Sequence, residues 1–171
     1  MARRIVSVTT QTPTATADTT NLVDATYPFL LKGGSSTQIN RIHEVSISGQ
    51  AASSSSPTFM VLAFDSTVAT GTNTNGTGQT DAPMDSSTAA LSAAAITGNS
   101  NATTKPQRAA TLHLMNCSLN AFGGVYFWRA NKVDECVGVY GNTANIGEVS
   151  LSAFTGGTPG ACGFHMVYES L

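Results

Sequence analysis

Three histidines, three cysteines and ten carboxylates must carry any acid–base, nucleophilic or metal chemistry of this 171-residue chain. The segment Cys162-Gly163-Phe164-His165 looks like half a zinc site. On a strand, residues three apart point to opposite faces, so these two side chains cannot converge on one ion. His113 and Cys117 share a face, but four strand residues separate them by roughly 13 Å. Core packing or a surface histidine is the better reading at both places, and no metal ligand is assigned. His43 and Glu44 are adjacent in a strand pattern and also point apart. No GxSxG nucleophile elbow occurs, so no serine is marked as a nucleophile. The acids are scattered, and Asp134-Glu135 reads as a solvated turn entering a strand rather than one half of a glycosidase pair. No catalytic residue and no cofactor site is expected, and the chain is read as non-enzymatic.

Other motifs fail on chemistry. Gly71 to Ala82 has Asn73, Asn75 and Gly76 where a calcium loop would want them, but its first and twelfth positions are Gly71 and Ala82, where carboxylates are required. Asn75-Gly76-Thr77, Asn101-Ala102-Thr103 and Asn116-Cys117-Ser118 match the glycosylation sequon, as chance provides in a chain this rich in Asn, Ser and Thr. Tyr126, Phe127 and Trp128 form an aromatic run. Tyr126 or Trp128 could stack on sugar rings, although one face of such a run more often packs in a core.

The elements that would position these groups are mostly strands. Val6-Ser7-Val8 is a short first strand, or the start of an arm that continues through the Thr-rich Thr9 to Thr20. Tyr27 to Leu31 carries Pro28, which points to an edge or a turn. Val45-Ser46-Ile47-Ser48 alternates as a half-buried strand does. Phe59 to Phe64 is apolar on both faces and is the best central strand. Asp65 to Pro83 and Asn99 to Ala110 read as long loops. Between them, an alanine-rich stretch near Ser87 to Ile96, capped by Asp85 or Ser86 and ended by Gly98, predicts one short helix. Strands follow over Thr111 to Cys117, Val125 to Ala130, Glu135 to Tyr140, Glu148 to Phe154 and Cys162 to Tyr168, punctuated by Gly and Asn turns. In the last of these, Cys162, Phe164, Met166 and Tyr168 share one face. This pattern predicts an all-β chain: an antiparallel β-sandwich, jelly-roll-like, with one short α-helix and long loops, as a single domain over 21–171 preceded by an arm or first strand over 1–20.

Composition narrows the function. The net charge is −2 and 11% of residues are charged, against roughly 25% in ordinary soluble proteins. Without a basic excess, nucleic-acid binding is not expected. No run of 18 apolar residues is present, and no membrane association is expected. With 41% hydrophobic residues the chain can bury a core. An odd number of cysteines without CxxC spacing argues against a disulfide scaffold. Met1-Ala2-Arg3-Arg4 is followed by no apolar signal region, so synthesis in a reducing cytoplasm, with reduced and mainly buried thiols, is expected.

The surface is the most distinctive feature. A folded monomer of this mass exposes on the order of 7,900 Å², which gives about one charge per 440 Å². Ser and Thr contribute 42 residues, and Gly adds 16. Short hydroxyl side chains lose little entropy when ordered and desolvate at less cost than charges. Such a surface suits faces covered by neighbours in a fixed assembly.

With its Thr-rich stretch from Thr9 to Thr20, its glycine-punctuated strands and its closing Gly163-Phe164-His165-Met166-Val167-Tyr168, the chain resembles small structural proteins of tailed-bacteriophage virions. It is most similar in size and character to capsid decoration (cement) proteins. The resemblance is one of style over the whole chain and transfers no functional residue. It implies a β-sandwich that forms a homo-oligomer, taken as a trimer, on the outer surface of a virion, clamping copies of the major capsid protein after synthesis in the host cytoplasm. Arg3, Arg4, Val6 and Val8 are the expected partner contacts: the arginines pair with acidic groups, and the valines set register on a neighbouring sheet edge. The alternative is a glycan- or receptor-binding module on a virion or cell surface, acting through Tyr126 or Trp128.

Overall fold

A computed structural model describes residues 4–9, 29–33, 39–49, 57–67, 82–85, 95–97, 107–120, 122–140, 148–153 and 162–171. Eleven strands occupy most of these positions: β1 (Arg4–Thr9), β2 (Phe29–Gly33), β3 (Ile39–Gly49), β4 (Pro57–Thr67), β5 (Ala82–Pro83), β6 (Ala95–Thr97), β7 (Gln107–Asn120), β8 (Val125–Arg129), β9 (Val137–Tyr140), β10 (Glu148–Ala153) and β11 (Cys162–Ser170). They form two antiparallel sheets. One has the order β5-β1-β11-β3-β8, with β9 also paired to β3; the other runs β6-β2-β10-β4-β7.

The pairings are nested. β4 pairs with β7, β3 with β8, β2 with β10 and β1 with β11, every pair antiparallel. The chain therefore folds back on itself between β4 and β7, and the two halves stay paired while, β9 apart, the strands of each half (β1 to β4, and β7, β8, β10, β11) fall alternately into the two sheets. The stretch between β4 and β7 contributes β5 to the edge of one sheet and β6 to the edge of the other.

Both sheets contribute to one hydrophobic cluster. Leu31, Leu62, Met115 and Leu119 come from one sheet, and Ile42, Val45, Ile47, Val139, Phe164, Met166 and Tyr168 from the other. The apolar run in β4 is central as its composition requires, between β10 and β7, with Val61, Leu62 and Ala63 all buried. In β11 the face carrying Phe164, Met166 and Tyr168 is the core face.

One expectation is corrected and one alternative is decided. The helix near Ser87 to Ile96 is not formed at its C-terminal end: Ala95–Thr97 is strand β6, paired with Leu31, Lys32 and Gly33 of β2. Alanine's helix preference is a small per-residue bias, and an open strand edge that offers backbone partners outweighs it. Residues 86–94 lie outside the described residues, among which the only helical turn is a 3₁₀ turn at Val133–Glu135. Of the two alternatives for the N-terminal segment, the described part is the first strand. Over Arg4–Thr9 the chain is a strand of its own sheet, in register with Ser170 to His165 of β11 and bordered at Val6 and Ser7 by β5. Residues 10–20 lie outside the described residues.

The passage from β7 to β8 carries the chain from one sheet to the other in four residues. Asn120 organises this corner: its side-chain Oδ1 accepts the Phe122 N–H at 2.9 Å, and its carbonyl accepts the Gly124 N–H at 2.8 Å. Gly123 has φ of +81°, and a Cβ on Gly124 would lie 2.4 Å from the Asn120 carbonyl oxygen. Backbone atoms cannot move aside as a side chain can. Gly124→Ala is therefore expected to destabilise the fold by about 1–3 kcal/mol, the usual cost of overpacking, read as a lowered urea midpoint at unchanged slope.

Candidate functional site

Among the described residues, the most organised group of reactive side chains lies where β3 changes partners. From Glu44 to Ser48 one edge of β3 pairs with β8; from Ile39 to Ile42 the same edge pairs with β9. On its other edge, Glu44 opposes Val167 and Ile42 opposes Tyr168, which leaves His43 as the extra residue of a bulge. Bulges bend a strand and re-aim the side chain they carry. The irregularity is fixed in place by the Ala130 N–H, which donates to the His43 carbonyl at 2.8 Å. Next to it, Arg129 and Glu44 form a cross-strand ion pair at 3.0 Å. The exposure of this pair limits its contribution to about 1 kcal/mol or less.

The connection from β8 to β9 must turn directly beside this bulge. It does so with the 3₁₀ turn Val133–Glu135, closed by the Glu135 carboxylate accepting the Asn131 N–H at 3.0 Å. The residue that leaves this turn is Cys136. Its Sγ lies 3.4 Å from His43 Nδ1 and 3.7 Å from the Lys132 carbonyl oxygen. On the far side of the imidazole ring, His43 Nε2 is 3.1 Å from Glu169 Oε2 of β11. The His43 side chain is 21% exposed and that of Glu169 only 3%.

This geometry dictates how the ring is used. A buried carboxylate accepts hydrogen bonds, so Glu169 takes the Nε2–H. In the neutral imidazole the remaining nitrogen, Nδ1, then carries the lone pair and faces the cysteine thiol. The result is a thiol, a base directed at it, and a buried carboxylate that holds the base in the required tautomer.

The other residues singled out in the sequence are placed as follows. Arg4, Val6 and Val8 lie on β1 opposite Ser170, Tyr168 and Met166, while Arg3 is outside the described residues. Tyr126 and Trp128 are half-buried and pack against the core, so the proposed sugar-stacking aromatics face inward. The Tyr126 hydroxyl is held above the ordinary tyrosine value by burial and, secondarily, by the nearby Cys117 thiol. The outward face of β8 carries Val125, Phe127 and Arg129 instead, with Val125 72% and Phe127 59% exposed. His113 is exposed, and Cys117 and Cys136 lie at intermediate depth rather than fully buried, Cys117 packed against the edge of the core.

No family model, curated protein or solved structure matches this chain. Function has to follow from its own residues. Among the described residues, no group of three or more His, Cys, Asp and Glu side chains could hold a metal ion. In the Cys136–His43–Glu169 group the reason is visible: the thiol and the carboxylate address opposite nitrogens of one ring.

The sequence contains one trace of this site. Ile42 is buried together with Val45 and Ile47, and the step of three between Ile42 and Val45 breaks the period of two. That phase slip marks the bulge at His43. Nothing in the spacing marks Cys136 or Glu169, which lie 93 and 126 residues away from the histidine.

Proposed function

We propose that this chain is a jelly-roll β-sandwich acting as a non-enzymatic structural protein of a virion: a decoration or cement protein that binds the major capsid protein as a homo-oligomer. The nested pairing supports the jelly-roll reading. Ranked by position in the chain, the eight principal strands fall in the orders 1-8-3-6 and 2-7-4-5, the arrangement of two interlocked Greek keys that recurs in viral capsid and lectin domains. Architecture alone does not assign a function. The observation that carries the assembly reading is the outer face of β8. Val125 and Phe127 on β8, and Phe122 in the connection leading into it, are all more than half exposed in a chain with eighteen charged residues. Neighbouring exposed apolar side chains of this kind mark interaction surfaces more often than free solvent-facing ones. Among the described residues β8 is also the last strand on its side of the sheet order, an edge of the kind that accepts a further strand or loop.

Sedimentation tests this reading. The purified chain should sediment as an oligomer and bind particles built of the major capsid protein. The double variant Val125→Asp/Phe127→Asp should lose both properties with an unchanged circular dichroism spectrum, because each charge would have to be desolvated on assembly. Unchanged assembly by this variant would refute the role of β8.

A further inference from the structure

We propose that Cys136, His43 and Glu169 form a reactive-thiol site that accepts an acyl group from an activated ester or thioester, with Cys136 as nucleophile, His43 as general base and Glu169 as the positioning residue. The proposal stands on the bulge geometry and does not depend on the assembly reading. Three observations converge. The thiol is at intermediate depth and leaves a turn whose residues, Asn131 to Glu135, are all exposed, so a carbonyl can approach it. The histidine is aimed at the thiol by a bulge and oriented from behind by a nearly fully buried carboxylate. The order thiol, imidazole, carboxylate is that of an activated nucleophile with an oriented base, with the two ring nitrogens exchanged relative to the serine triad.

The chemistry is closed in atoms and electrons. As the Cys136 sulfur bonds to the acyl carbon, its proton passes to His43 Nδ1 and the carbonyl π pair moves onto oxygen. When the carbonyl re-forms, the carbon–oxygen or carbon–sulfur bond to the leaving group breaks, and the leaving group takes the proton from His43. The products are an S-acyl Cys136 and a free alcohol or thiol, with no change of oxidation state. Before reaction the thiol has a second acceptor, the Lys132 carbonyl at 3.7 Å, so the S–H can rest there or on Nδ1. A thiol is a soft nucleophile, and the thiolate is its reactive form. An adjacent base therefore changes its rate more than its affinity.

The test uses p-nitrophenyl acetate on the full chain, with release of p-nitrophenol followed in time and the acetylated cysteine located by peptide mass mapping. Cys117, a cysteine on β7 at the same intermediate depth, is the internal control. Acetylation of Cys136 should outrun that of Cys117 by about 10²-fold or more, the range that a positioned general base contributes. His43→Gln should remove that advantage and leave the Cys117 rate unchanged. Glu169→Ala should slow Cys136 to a similar degree, and Glu169→Gln, whose amide oxygen can still accept the Nε2–H, should restore much of the rate. That rescue separates positioning from a general loss of structure. Equal rates at Cys136 and Cys117 in the unmodified chain would overturn the proposal without any variant, as would a Cys136 rate indifferent to His43→Gln in a folded protein.

Discussion

Phe164→Ala should lower the free energy of unfolding by about 3–5 kcal/mol, the range for removing a fully buried aromatic side chain. Phe164 has no exposed surface, sits opposite Ile47 of β3, and lies on the strand that joins β1 to β3. β11 is the spine of its sheet, so its side chains cannot relax outward into the cavity that the substitution leaves. Domains are stable by only about 5–15 kcal/mol, so one such change removes a large share of the total. Val133→Ala, at an exposed apolar position in the 3₁₀ turn, should stay within about 0.5 kcal/mol. Urea unfolding of both variants measures the contrast. A loss below about 1 kcal/mol at Phe164 would mean that this face of β11 is not the core.

The same residues show what a sequence of this kind can reveal. Strands announce themselves where a face is consistently apolar, as in Phe164-Met166-Tyr168, or where both faces are, as in Val61-Leu62-Ala63. Those patterns are local and reflect burial directly. The helix failed because its evidence was only propensity: nothing in the alanine-rich stretch reveals that Leu31 to Gly33 offers an open edge to Ala95 to Thr97. The site was hidden for a different reason. The bulge overturns the expected divergence of His43 and Glu44: it breaks alternation and leaves both residues between the buried Ile42 and Val45, on the non-core face. The histidine's real partners come from a turn and a strand far along the chain. A bulge makes the histidine reach them, and the only local sign of a bulge is a slip in phase between Ile42 and Val45. Tyr126 and Trp128 illustrate the remaining ambiguity. Alternation divides an aromatic run into two faces, but only the second sheet determines which face is covered.

The largest effect is expected from removing residues 2–9, which should leave the chain unfolded or aggregated. β1 pairs along its whole length with β11, from Arg4 opposite Ser170 to Thr9 opposite His165. Each net ladder hydrogen bond is worth about 1 kcal/mol, and the loss does not stop there. The backbone of β11 from His165 to Ser170 would become an open edge beside Met166 and Tyr168, two fully buried side chains, and β5 would lose the strand it pairs with. An exposed edge next to uncovered apolar surface is a template for pairing between chains. A gentler probe is Val6→Pro. Proline supplies no N–H and cannot sustain a central position between two strands, and Val6 lies opposite Tyr168 on one side and Pro83 on the other. Thermal unfolding and size-exclusion chromatography give the readout. A truncated chain that folds with an unchanged melting temperature would show that the β1–β11 pairing is dispensable. Arg3, Arg4, Val6 and Val8 would then be free to act as an arm on a neighbouring subunit. A chain that collapses without them assigns β1 to the fold itself, and the assembly proposed above would then have to rest on surfaces such as the outer face of β8, where Val125 and Phe127 are exposed.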